Sequence, residues 1–215
     1  VTPADMVDPI ELAPFFEHHL NDIFTRSYVA PRSSFCSLAL PETLLGGWAN
    51  FDLRATVDDA GLRNAGGTLN TSIHVPFLTP SEASAPNCSF ISQWEIDQQA
   101  IEFSVSGHAR TLYLLMTGTT YPQATHMPHG TVTATYKDGT SSKLILRTPD
   151  TWWPIEQDYL LDDYLFIDDA PLPPRVDLST GKTRRLNPAD FKGKGRSIPG
   201  GSATVTASAT NTSGM

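Results

Sequence analysis

The stretch Thr131-Val132-Thr133-Ala134-Thr135-Tyr136-Lys137-Asp138-Gly139-Thr140-Ser141-Ser142-Lys143-Leu144-Ile145-Leu146-Arg147 decides the fold class. Val132, Ala134 and Tyr136 alternate with threonines, the period of two that puts one face of a strand on a core. Lys137-Asp138-Gly139-Thr140 then supplies a turn, with Asp-Gly as its signal. On the return, Leu144 and Leu146 alternate with Lys143, Ile145 and Arg147. The reading is a β-hairpin, and the neighbouring segments repeat its pattern.

Working outward, short strands are expected at 36–40, 51–57, 68–75, 90–94, 100–106 and 110–117. The run Leu112–Met116 is continuously apolar and predicts a central strand buried on both faces. The expected core is Trp94, Phe103, Leu112, Leu114, Val132, Ala134, Tyr136, Leu144 and Leu146. Many short strands separated by Gly, Pro, Asn and Asp predict a mainly β fold, an antiparallel β-sandwich or jelly roll. Ahead of it, Leu12, Phe15, Phe16, Leu20, Ile23 and Phe24 recur at spacings of three and four, which predicts an N-terminal amphipathic helix opening near Pro14. The expected organisation is therefore 1–35 for this helix and lead-in, 36–153 for the sandwich, and 154–215 for an extended irregular arm. The arm opens with acidic residues interleaved with aromatics at 154–170, is rich in Pro, Gly and basic residues at 171–200, and ends in a Ser/Thr-rich, linker-like tail. Within it only Ala203–Ala207 alternates like a strand. An arm of this composition should not order alone, so a surface on a second chain or on the remainder of a longer polypeptide is expected. A strand from that partner would close the sheet.

Composition narrows the function. The chain has 215 residues, of which 15 are Lys or Arg and 23 are Asp or Glu, a net charge of −8. That balance opposes nucleic-acid binding, which needs a basic surface. The sequence has no apolar run of about 18 residues, so a membrane-spanning helix is not expected. Its polarity comes from 18 Ser and 24 Thr rather than from charge. The sequons at Asn70, Asn87 and Asn211, beside turn-forming residues, point to a secreted glycoprotein. Cys36 and Cys88 fit either a disulfide closing a loop of roughly 50 residues, a constraint of ~2–4 kcal/mol, or two buried thiols.

Three constellations carry possible chemistry. Trp152 and Trp153 stand beside Glu156 and Asp158, a combination in which indole faces stack on a pyranose and carboxylates accept its hydroxyls. The same tandem Trp would equally serve as an interior plug. Glu156 and Asp158, on one face of an extended segment, would lie only ~7 Å apart, and such local carboxylates are usually solvated rather than an acid–base pair. Asp58 and Asp59 offer two oxygens towards calcium, which takes about six to eight, so backbone carbonyls would have to complete the shell. His18 and His19, adjacent in a helix, do not share a face, and Pro128 between His126 and His129 opposes a helical metal pair. No nucleophile elbow, phosphate loop or zinc-hydrolase signature occurs. No catalytic set, metal site or required cofactor is assigned.

The runs RTLYLLMTG at 110–118, GTVTATYKDG at 130–139, KLILR at 143–147 and the Trp152-Trp153 pair resemble an ancillary galactose-binding-like jelly roll of large secreted glycoside hydrolases. The segments Pro31-Arg32-Ser33, DDAGLR at 58–63, VPFLTP at 75–80, Ser92-Gln93-Trp94 and TWWPIEQDY at 151–159 are similar to members found in bacterial polysaccharide-utilisation loci and in fungi. The likeness covers roughly 9–165. It implies a non-catalytic β part that supports or extends the sugar site of an (α/α)6 catalytic domain, here on a second, larger chain. The alternatives are a free-standing lectin module and a structural assembly subunit. The catalytic residues implied by the family would lie elsewhere, so none is transferred to this chain.

Overall fold

A computed structural model describes residues 7–23, 57–91, 100–118, 127–155, 172–185 and 200–209. The elements in chain order are a 3-10 turn at Ala13–Phe15, α1 (Leu20–Ile23), α2 (Ala60–Arg63), β1 (Thr68–Asn70), β2 (Pro76–Leu78), β3 (Thr111–Met116), β4 (Gly130–Thr135), β5 (Ser141–Leu146), β6 (Arg175–Asp177), β7 (Thr183–Arg184) and β8 (Ser202–Ala209). The described strands make three antiparallel sheets: β1-β2, β4-β5, and a four-stranded sheet ordered β3-β8-β6-β7. The mainly β class therefore stands. No closed barrel is present among the described residues.

The hairpin forms where the alternation placed it. Val132 sits opposite Leu144 and Ala134 opposite Ser142. Val132, Ala134, Leu144 and Leu146 are half-buried, whereas Thr131, Thr133, Lys143 and Ile145 are exposed. At the turn, Gly139 N–H donates to Tyr136 O at 2.9 Å and Tyr136 N–H to Thr140 O at 2.9 Å. Gly139 has φ 84°, where a Cβ is disfavoured and glycine is at home. Asp138 Oδ1 accepts from the Thr140 hydroxyl at 2.6 Å and from its amide at 2.9 Å. These bonds, the hydroxyl first, hold the Asp138 carboxyl below its ordinary value.

Several expectations are corrected. Among the described residues, the amphipathic helix is reduced to a 3-10 turn and the four residues of α1. Phe16 turns to extended backbone (φ −80°, ψ 124°), which stops the first turn. Beyond it, His18 pairs with Cys88 in an antiparallel bridge, using backbone groups that a helix would have consumed. Residues 100–106 show a strand's alternating exposure but join no sheet, and Phe103 instead meets Phe15 edge-on with centroids 5.1 Å apart. Among the described residues, strand β3 is not central. It pairs with β8 on one side, forms the edge of its sheet among the described residues, and is half-buried throughout. The strands expected at 36–40 and 51–56, and Trp94, lie outside the described residues.

The largest correction concerns the arm. Its described parts, 154–155, 172–185 and 200–209, hold β6, β7 and β8, and β8 lies between β3 and β6. Ser202–Ala209, expected to be a linker-like tail, pairs along the whole of β3. Ala203 and Val205 join Val176, Leu178, Ile155, Leu62, Leu69, Leu20 and Ile23 in the buried apolar cluster. The other face of β8 is lined by Ser202, Thr204, Thr206 and Ser208, all buried. Three of these hydroxyls have partners in the segment 151–155: Thr206 donates to Thr151 O at 2.8 Å, Thr204 Oγ1 accepts from Trp153 N–H at 3.0 Å, and Ser202 donates to Ile155 O at 3.4 Å. A buried hydroxyl left without a partner costs about 1–3 kcal/mol, so these contacts let a Ser/Thr-rich strand occupy the centre of a sheet.

Candidate functional site

The sequence-predicted site residues separate in space. Trp152 and Trp153 are buried, at 7% and 1% exposure. Trp153 packs with the buried Arg175 guanidinium 5.1 Å from its ring centroid, and Trp152 meets His129 edge-on at 5.3 Å. Neither indole has a face open to a ligand. Both rings lie in the interior, and the Trp153 backbone N–H donates to Thr204 Oγ1 of β8. Glu156, Asp158, Asn211 and Cys36 lie outside the described residues. Cys88 is half-buried with Sγ 3.4 Å from His18 O, and no disulfide occurs among the described residues.

The densest polar cluster surrounds Asp59, itself 4% exposed. Its Oδ1 accepts from Asn21 Nδ2 at 3.2 Å, and its Oδ2 from Arg63 Nε at 3.0 Å and Asn87 Nδ2 at 2.5 Å. Asn87 Oδ1 in turn accepts from Leu20 N–H at 2.9 Å, and Arg63 Nη1 donates to Ala85 O at 3.2 Å. This network ties α1, α2 and the loop before Cys88 together. Asp59 faces three side-chain donors, while Asp58 Oδ1 caps Ala60 N–H at 2.9 Å. No group of three or more His, Cys, Asp or Glu is gathered among the described residues. The Asn87 amide nitrogen, which a glycan would occupy, is committed to Asp59, whereas Asn70 at the end of β1 is exposed.

A different place gathers polar side chains around an open depression. A pocket of about 340 Å³ opens where the loop after β1 crosses the core-facing side of the four-stranded sheet. The strand register puts Tyr113 of β3 opposite Ala207 of β8, and both line it. Val205 and Pro174 supply an apolar floor, and Ser72, His74 and Arg185 supply the polar rim. The loop is pinned internally. Thr71 Oγ1 donates to Val75 O at 2.7 Å and accepts from Val75 N–H at 3.2 Å, while His74 N–H donates to Thr71 O at 3.0 Å. Ser72 N–H reaches Thr183 Oγ1 of β7 at 3.2 Å, which fixes the loop to the sheet. This construction holds His74 at φ 61°. Among the described residues, the Ser72, His74, Tyr113 and Arg185 side chains make no hydrogen bond or ion pair.

Sequence reasoning missed all four. Tyr113 reads as one more apolar member of the run 112–116, Arg185 as part of a basic tail, and Ser72 as the end of a sequon. The only local signal is the phenolic hydroxyl interrupting an apolar strand. Positive φ at a histidine has no signature in a single sequence. The chain matches no family model, no curated protein and no solved structure.

Proposed function

We propose that this chain is the non-catalytic, sandwich-type β part of a secreted carbohydrate-active assembly, holding a sugar in the pocket between the 71–75 loop, Tyr113 and Arg185. The observation that carries the proposal is the convergence of one aromatic ring and three further polar side chains, none engaged by the protein, on an apolar floor. A pyranose needs that mixture: an apolar face to stack and a few directed hydrogen-bonding groups. Among the described residues no Asp or Glu lines the pocket, which supports binding rather than glycosidic hydrolysis there. The likeness of residues 9–165 to ancillary jelly rolls of glycoside hydrolases supports the same reading, with catalysis assigned to a helical domain on a second chain. Among the described residues, no helix is long and apolar enough to cross a membrane.

Isothermal titration of the chain against a panel of mono- and disaccharides tests the proposal. Binding by the unmodified chain, weakened by about tenfold or more in Tyr113→Leu, is the expected result. Leucine keeps the apolar contacts of Tyr113 with the core and removes the flat ring. A panel in which no sugar binds would leave the structural-subunit alternative.

A further inference from the structure

We infer that the pocket selects a sugar carrying a single carboxylate, a uronic acid, with Arg185 as its charge partner; this rests on the sugar-binding reading above. The two arginines at the end of β7 are used differently. Arg184 Nε lies 3.1 Å from Asp177 Oδ1 and serves the sheet. Arg185, the next residue, is exposed on the pocket rim and has no ion pair among the described residues. Among the described residues no carboxylate lines the pocket, so the exposed Arg185 guanidinium on its rim is open to one that a ligand brings.

Carboxylate chemistry fits the fork of a guanidinium, which donates two parallel N–H bonds to two coplanar oxygens. The remaining lining fits the sugar ring: Tyr113 offers an apolar face, and the Ser72 hydroxyl and His74 imidazole offer bonds to ring hydroxyls. The net charge of −8 limits how much negative charge the ligand can bring. A polyanion would gain one guanidinium contact and meet the repulsion of the whole molecule, whereas a monoanion keeps most of that contact. A sulfated sugar is the competing source of negative charge, and the test separates the two.

The experiment follows backbone amide shifts of the full chain on titration with methyl β-glucuronide, methyl α-galacturonide, the matching neutral glycosides and a glucose 6-sulfate. At least one uronide should bind about tenfold more tightly than its neutral partner and than the sulfate, moving the amides of Ser72, His74 and Arg185. Arg185→Gln should erase that preference while leaving the neutral glycoside's affinity within about twofold. Lys182→Gln, an exposed cation outside the pocket lining, should change neither. A thermal melt of each variant guards against loss of fold. Equal affinity for uronide and neutral glycoside, or preference for the sulfate, overturns the uronate assignment and leaves the sugar-binding reading standing. A preference that survives Arg185→Gln removes Arg185 from the role. Shifts with none of the sugars overturn both readings.

Discussion

At His74 the backbone holds φ 61°, where an ordinary L-residue is less stable by about 1–2 kcal/mol than in its usual conformations. Glycine would relieve that strain, and it would lose about 0.5–1 kcal/mol through its looser unfolded chain. His74→Gly should therefore leave the melting temperature unchanged or raise it by up to about 6 °C. The same variant should weaken sugar binding by about fivefold, because an imidazole that lines the pocket is gone. Stability and affinity moving in opposite directions is the mark of a residue held for a ligand. A lower melting temperature with unchanged affinity would give His74 a purely structural role. Trp152 and Trp153 show the reverse situation at this scale. Their chemistry suits a sugar, but a residue type states what a side chain can do and not which way it faces. Burial against β8 decides it.

Elements were legible where their own period and turn residues specified them. The β4–β5 hairpin carries both signals within 17 residues, so local sequence suffices. Strand β8 carries the same period, with Ala203, Val205 and Ala207 between hydroxyl residues, yet its hydroxyls read as a solvated linker. What makes them an interior face are bonds to Trp153 and Thr151, 51 and 55 positions away. The pocket is illegible for the same reason, since Ser72, Tyr113 and Arg185 meet only through the pairing of strands distant in sequence. Helix α2 shows how tightly these distant parts are set. Gly61 N–H donates to Leu178 O at 2.8 Å, and a Cβ on Gly61 would stand 2.1 Å from Gly181 N and 2.5 Å from Thr180 C. Both are backbone atoms, so no side chain can swing aside. Gly61→Ala should destabilise by at least ~1–3 kcal/mol, the usual cost of overpacking, read as a lower urea midpoint at unchanged slope. A variant as stable as the parent would mean that α2 does not sit against the 178–181 turn.

At the scale of the molecule, the apolar cluster takes Leu20 and Ile23 from the start of the chain, Leu62 and Leu69 from its first third, and Ile155 to Val205 from its end. The Asp59 network stitches the first of these groups to the second through Asn21 and Asn87. Strand β8 joins the rest: it pairs with β3 and β6, and its hydroxyl face receives the 151–155 segment. A chain ended after residue 199 loses the strand between β3 and β6, both of which then present bare edges. It also strips the partners from Trp153 N–H and Thr117 Oγ1, which bond to Thr204 Oγ1 and Ser202 O at 3.0 and 2.8 Å. We expect residues 1–199 to give no cooperative urea transition and to associate through those edges, while residues 1–215 unfold in one step. Adding a peptide of residues 200–215 to the truncated chain should restore the transition, because backbone pairing along β8 supplies the affinity of an added strand. A truncated chain that unfolds as cooperatively as the whole would show that a strand from elsewhere, rather than Ser202–Ala209, completes the sheet.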